Sequence, residues 1–456
     1  MDGLGEPACT PVSPLLNAEA DCLLCKEIDD DVAAAVRRQL TVLLEPRVSA
    51  AGVLDSVFAS DIGEPLALFT LDGGRCMRPQ FLWWAMRACG GGDRHIPVAL
   101  RLGAALELIQ SCALLHDDVM DGSMRRRGKP SFQARLAARH ADSAAVEAGT
   151  MTFASSAAVL AGDLALAWAD DIVAETHCDE AVRLRVLEHW RAMRTEMVAG
   201  QYLDLHGQTT RSRSVAQALR TARLKTAQYT VARPLSFGAA VACADARTTR
   251  QLYAAGQYAG TAFQLRDDIE GVFGDPATTG KPSGDDVRAG KLTYLVAVAQ
   301  TRAEAGHDRA TLSLLETALG NAELTEDGLR KVREVLIETG AVDIVEQRIE
   351  WLLEACHRRL SAAVLSSAGA RQLRTLFARA AAPVTPTEPT ETPAQASGVR
   401  RGLRAPRGVG AQATEPACSP HRSSWPTPNT PPVRVLAANP VGRTRCSLAP
   451  SDGCHP

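Results

Sequence analysis

Between Glu107 and Lys129 the chain reads ELIQSCALLHDDVMDGSMRRRGK. Leu108, Cys112, Leu115 and Val119 recur there at spacings of four, three and four, the pattern of a helix with one face on a core. A second stripe of the same helix carries Gln110, Ala113, Asp117 and Asp121, because residues three or four apart share a face. Similar periodicity runs through DDDVAAAVRRQLTVLLEP, TFASSAAVLAGDLALAWADDIVAE, EAVRLRVLEHWRAMRTEMVAGQYLDL, SVAQALRTARLKTAQYTVARPL and TRQLYAAGQYAGTAFQLRDDIEGVF. Gly and Pro punctuate these runs, as at Gly90–Gly92 and Pro276. No stretch alternates in the manner of a strand. The pattern predicts an all-α fold, a large single-domain helical bundle around a central cavity, spanning 26–382.

Composition sharpens the boundaries. Alanine and leucine dominate and aromatics make up only 4%, which favours helices over strands. Residues 1–25 are rich in Pro and Gly and are expected to be disordered. From 383 to 456 the chain holds 14 of its 25 prolines, eight arginines and four acids, without hydrophobic periodicity. Such a tail cannot bury enough apolar surface to offset the entropy of ordering, so disorder is expected there too. Net charge is −2, which excludes bulk nucleic-acid binding. The sequence shows no continuous apolar run of about 18 residues and its start lacks signal-peptide character, so no membrane span and a cytoplasmic location are expected. Cys22 and Cys25 form a CxxC with no second pair at zinc spacing, and read as two reduced thiols.

The chemistry lies on the polar stripe. Asp117, Asp118 and Asp121 crowd three carboxylates into five residues, which repel unless a cation sits among them. Arg125, Arg126 and Arg127 follow. Hard oxygen ligands for magnesium beside guanidinium groups make a polyphosphate site. A solvated acidic face would look alike, but the preceding SCALLH is too apolar for one. Downstream, Gln257, Gly260, Gln264, Asp267 and Gly271 share another helical stripe, with Asp268 adjoining. Were the two helices to face each other, their carboxylates would share two or three magnesium ions bridging a diphosphate. Arg75 and Arg78 in the Gly73–Pro79 turn, Lys225 beside Thr226, and Lys281 and Lys291 in loops supply further positive charge.

The blocks GGRCMRP, ELIQSCALLHDDVMDGSMRRRGKPS, AGDLALAWA, EMVAGQYLDL, KTAQYTVARPL and FQLRDDIEGVFGDPATTGKPSGDDVRAGKLTYL follow one another in an order that resembles the trans-isoprenyl diphosphate synthases, the polyprenyl synthetase family. The resemblance runs from about residue 40 to about 300, and more loosely to about 380. It implies that Asp117 and Asp121 bind magnesium with Asp118 in support, and that Asp267, with Asp268 beside it, leads the second metal motif. It places Arg75, Arg78, Gln110 and Arg127 on the diphosphate of isopentenyl diphosphate. It places Arg126, Lys225 and Lys281 on that of an allylic partner (dimethylallyl, geranyl or farnesyl diphosphate). Thr226 and Gln264 would lie near the developing carbocation, and Gln201 and Asp204 would support Lys225. Two departures stand out. Gly271 occupies the place of a third aspartate, with Asp275 four residues on as a substitute through water. Arg75 replaces the lysine of the family's GGK, and Arg and Lys hold phosphate differently.

The implied activity is a magnesium-dependent head-to-tail condensation. The allylic carbon–oxygen bond ionises, the alkene attacks, and a proton leaves to the released diphosphate. Cys112 and Ala113, one turn before the first motif, are small where aromatics in the family accompany fifteen-carbon products. The expected product therefore has at least twenty carbons, geranylgeranyl diphosphate first, with Ile109 or Met151–Phe153 as a deeper floor. Family analogy implies a homodimer. A class I terpene synthase and a non-catalytic subunit of a prenyl synthase heteromer are the competing readings.

Overall fold

The computed structural model describes residues 23–140, 151–276 and 282–383, all within one compact unit, Met1–Thr390. A second unit, Glu391–Pro456, lies outside the described residues, as do the expected disordered tail from 384 on and residues 1–22. The first helix begins at Leu23, three residues before the expected domain start, because Cys25 and Ile28 are buried.

The principal helices, in chain order, are α1 (Val32–Leu54), α2 (Met77–Ala88), α3 (Ile96–Met120), α4 (Phe153–Ala174), α5 (Glu180–Thr210), α6 (Arg233–Val241), α7 (Ala246–Phe273), α8 (Tyr294–Ala305), α9 (Ala341–Ser361) and α10 (Ser367–Ala381). The expected all-α bundle is what the chain forms. Helix α3 packs along α4, and α7 along α9. One apolar cluster joins α1, α2, α3, α4 and α6, and another joins the end of α7 to α8 and α9.

Helix α3 illustrates why these segments fold as they do. Pro97 opens it, where a missing N–H costs nothing. Leu108, Cys112 and Leu115 are buried, as the stripe required. Gly122, at φ +63°, ends it just after Asp121. The segment Asp93–Met120 is long and apolar enough to cross a membrane, yet 67% of its apolar window is buried inside the protein, as expected of a core helix.

Two local features carry no periodic signal. Arg125–Arg126 and Lys129–Pro130 form a two-stranded antiparallel hairpin, β1 and β2, the sole sheet among the described residues. Arg127 and Gly128 at its tip both have positive φ, which matches the twist of a tight hairpin. Residues Arg223–Ala232 form a π-helical turn ahead of α6. It is clamped between α5 and α7 by glycines. A Cβ on Gly260 would lie 2.5 Å from Ala227 Cα, and one on Gly256 would lie 2.6 Å from Ala232 Cα. On the other side, a Cβ on Gly200 would run into the Lys225 backbone.

Candidate active site

The first acidic motif closes α3. Asp117 is largely buried, and its carboxylate gathers three donors from three elements. Gln201 Nε2 of α5 donates at 3.1 Å, Lys225 Nζ of the π-helical turn lies at 3.2 Å, and Arg126 Nη2 of the hairpin lies at 3.2 Å. Lys225 also reaches Asp204 at 2.5 Å. Burial disfavours the Lys225 ammonium, but Asp117 and Asp204 outweigh it and hold the charge on. Asp118 turns inward, 1% exposed, and accepts from Arg126 Nε at 2.8 Å. The hairpin thus separates three consecutive arginines. Arg126 goes inward to the carboxylates. Arg127, at the tip, donates to the Asp72 carbonyl at 3.1 Å, and Arg125 donates to the Gly128 carbonyl.

Asp121 faces Lys291 and, across it, Asp286. Lys291 Nζ lies 2.7 Å from Asp121 Oδ2 and 3.4 Å from Asp286 Oδ1. Burial opposes the charge on Lys291, and Asp286 and Asp121 raise its proton affinity well above the ordinary value. Asp286 was not among the sequence candidates. A Cβ on Gly271 would sit 2.8 Å from Asp286 Oδ2, so this carboxylate fills the space beside the position where the family carries its third aspartate. Asp275, the expected substitute, instead lies exposed beyond the end of α7. Only the loop's return brings Asp286 back to α7, and no spacing rule reports that.

On α7, Asp267 is exposed, whereas Asp268 is buried. Asp268 accepts from Gln264 Nε2 at 2.8 Å and from the Tyr294 backbone N–H at 3.1 Å. Burial pushes its carboxyl up to about 7, against the hydrogen bond from Gln264. Gln264 in turn accepts from the Thr226 hydroxyl. The π-helical turn therefore joins α7 to the Asp117 cluster.

The remaining basic candidates lie on the other side of the same turn. Arg78 stacks its guanidinium 4.4 Å from the centre of the Tyr229 ring and donates to Thr230 Oγ1 at 2.7 Å. The Tyr229 hydroxyl donates to Gln110 Oε1 at 3.0 Å. Arg75 is exposed in the preceding turn. Lys281 lies outside the described residues. Among the described residues no three acidic, His or Cys side chains close on one point. The carboxylates of Asp121 and Asp286 nonetheless converge on a cation, the Lys291 ammonium, and their hard oxygens suit magnesium, which keeps several waters and phosphate oxygens of its own.

Below Asp117, Ala113 shares the face of Gln110 and Asp117, while Cys112 turns to His116, with Sγ 3.8 Å from Nδ1. Ile109 is fully buried. Met151 and Phe153 are exposed, with Phe153 edge-on to His140, so that stretch forms no interior floor.

In this all-α bundle Asp121 and Asp286 meet at Lys291, and comparison with known proteins gives the family. Residues 60–335 match the polyprenyl synthetase family model, and the chain belongs to that family of trans-prenyltransferases. It is 29% identical over 308 residues to the geranylfarnesyl diphosphate synthase of Aeropyrum pernix, covering 67% of this chain and 88% of that one. It is 34% identical over 231 residues to the farnesyl diphosphate synthase of Geobacillus stearothermophilus, covering 49% of this chain and 70% of that one. The crystal structure of geranylgeranyl pyrophosphate synthase from Corynebacterium glutamicum, complexed with isoprenyl diphosphate and magnesium, superposes with a TM-score of 0.72 at 35% identity, covering 76% of this chain and 98% of that one.

Proposed function

We propose that this chain condenses isopentenyl diphosphate with an allylic diphosphate, with magnesium, and releases geranylgeranyl diphosphate. The observation that carries the reading is the meeting of carboxylates from α3 with Asp286 beside α7, flanked by Lys225 and Lys291. Asp117, Asp121, Asp267 and Asp286 are the candidate ligands, and Asp118 and Asp268 brace Arg126 and Gln264 behind them. Magnesium held by these carboxylates would supply positive charge to the diphosphate as it leaves. The chain does the rest. Arg126, Lys225, Lys281 and Lys291 hold the allylic diphosphate by charge. Arg75, Arg78, Arg127 and Gln110 hold the isopentenyl diphosphate so that its alkene faces the ionising carbon. The oxygens of Thr226 and Gln264 lie where positive charge develops, and closure of the site keeps water from the cation.

Ala113 supports a chain longer than fifteen carbons, because it is small where aromatics in the family accompany fifteen-carbon products, and Ile109 one turn deeper is the candidate floor. Exposed Leu160 on α4, with Leu184, Val198 and Tyr202 on α5, supports pairing of two copies. Incubation of purified protein with isopentenyl diphosphate, farnesyl diphosphate and magnesium, followed by chromatography of the dephosphorylated product, tests the reading. Geranylgeraniol is the expected product. A hydrocarbon indicates a terpene synthase, and no turnover indicates a silent subunit.

A further inference from the structure

Glu107 lies on α3 one turn before Gln110, and it is a carboxyl that the mechanism above leaves without a task. It is 5% exposed. A Cβ on Gly73 would lie 3.1 Å from Glu107 Oε2, so the carboxyl rests against the turn that precedes Arg75 and Arg78. The Cys76 thiol adjoins it, and burial and the Glu107 charge push that thiol up to about 12, so it stays protonated.

Positive groups face Glu107 from three further elements. Arg37 comes from α1 and donates to the Gly74 carbonyl at 2.9 Å. Arg78 comes from α2, fixed by Tyr229 and Thr230. Arg127 comes from the hairpin, fixed by the Asp72 carbonyl. Tyr229, from the π-helical turn, is the other titratable group of this surround, and burial keeps its hydroxyl neutral.

We propose that Glu107 is a positioning residue for the isopentenyl diphosphate pocket: its carboxylate balances Arg37, Arg78 and Arg127, and it takes a proton from solvent when a diphosphate enters among them. The inference rests on the assignment of Arg78 and Arg127 to that diphosphate. Three guanidinium groups converging without an anion would repel and splay apart, and one buried carboxylate offsets that repulsion. Burial raises the proton affinity of the carboxyl above the ordinary value, and Arg78, Arg127 and Arg37 oppose that rise without cancelling it. An arriving diphosphate carries more negative charge than Glu107 and claims the same arginines. The carboxylate then faces a like charge with its counter-ions taken, and protonation removes the conflict. The step is Glu107 carboxylate plus a solvent proton giving the neutral acid, with no other bond made or broken.

Calorimetric titration with isopentenyl diphosphate at about pH 8, in two buffers of different ionisation enthalpy, counts the protons bound. The ligand is fully ionised there, so the difference between the wild type and Glu107→Gln isolates this group. About one proton is expected for the wild type and about none for Glu107→Gln, with Glu107→Asp retaining uptake. The KM for isopentenyl diphosphate should rise up to roughly tenfold per pH unit above neutrality in the wild type and stay flat in Glu107→Gln, without a matching change in the allylic KM. Should Glu107→Gln not fold, Arg37→Gln reads the same quantity, because loss of a facing cation moves the onset of uptake to higher pH. Equal proton counts, or an onset unmoved by Arg37→Gln, overturn the proposal. A wild type that does not bind isopentenyl diphosphate overturns the assignment of the pocket instead.

Discussion

Lys291 Nζ lies 2.7 Å from Asp121 Oδ2, an ammonium ion seated between carboxylates of two elements far apart in the chain. It holds together a cluster that would otherwise repel, and it competes with any metal that arrives without a diphosphate. Lys291→Met should therefore bind Mg2+ alone more tightly than the wild type by calorimetry. Its turnover should fall on the order of a hundredfold, since the charge on the leaving diphosphate loses a partner. Tighter metal binding with unchanged turnover would count against a role in the reaction.

Ala113 shares its helical face with Asp117, so an aromatic side chain there enters the space under the first acidic motif. Ala113→Phe should shift the main product to fifteen carbons while keeping turnover within about tenfold. Chromatography of the dephosphorylated products decides. Cys112→Phe should act differently. Cys112 packs against His116 on the α4 side, so a ring there strains the α3–α4 contact and lowers the melting temperature.

Gly260 permits α7 to touch the π-helical turn backbone to backbone. With a Cβ 2.5 Å from Ala227 Cα, Gly260→Ala must push the turn away. A loss of about 2–3 kcal/mol of stability is expected from overpacking. Activity should fall further than stability alone explains, because Lys225 and Thr226 move with the backbone. Thermal denaturation and kcat measured together separate the two.

His189 on α5 packs its ring edge-on to Phe237 and faces Arg233. Burial, then Arg233, pushes its proton affinity down from 6.5 to about 4. The folded protein keeps His189 neutral where the unfolded chain takes up a proton. The stability contributed is present above pH 6.5 and is lost as the pH falls toward 4. At about 1.4 kcal/mol per pH unit, and allowing for partial solvent screening, the loss is about 2 kcal/mol. His189→Leu should remove this part of the acid sensitivity in denaturant titrations at pH 7 and pH 4.5.

The helices and the polar stripe of α3 were legible because a period of 3.6 writes itself into the positions of Leu108, Cys112, Leu115, Asp117 and Asp121. The hairpin was not, because two-residue strands leave no alternation to count. It matters to the site, since it sends Arg126 to the carboxylates of Asp117 and Asp118 and Arg127 to the Asp72 carbonyl. The π-helical turn also left no mark. One inserted residue changes the hydrogen-bond ladder without changing the residue types that suit a helix. Asp286 stayed hidden for a third reason, as its approach to Gly271 depends on how a loop returns. Glu107 was in plain view, yet a single acid amid apolar neighbours reads as a helix former until the arginines around it are placed.

The π-helical turn has a consequence for how the two ends of the site are joined. Lys225 and Thr226 lie at its start and Tyr229 and Thr230 near its end, so one short rod of backbone touches both halves of the reaction chamber. Glycines wedge that rod from either flank, Gly200 on α5 and Gly256 and Gly260 on α7. A backbone shift at the Lys225 end would therefore be felt at the Tyr229 end, so Asp117 and Arg78 answer to one element.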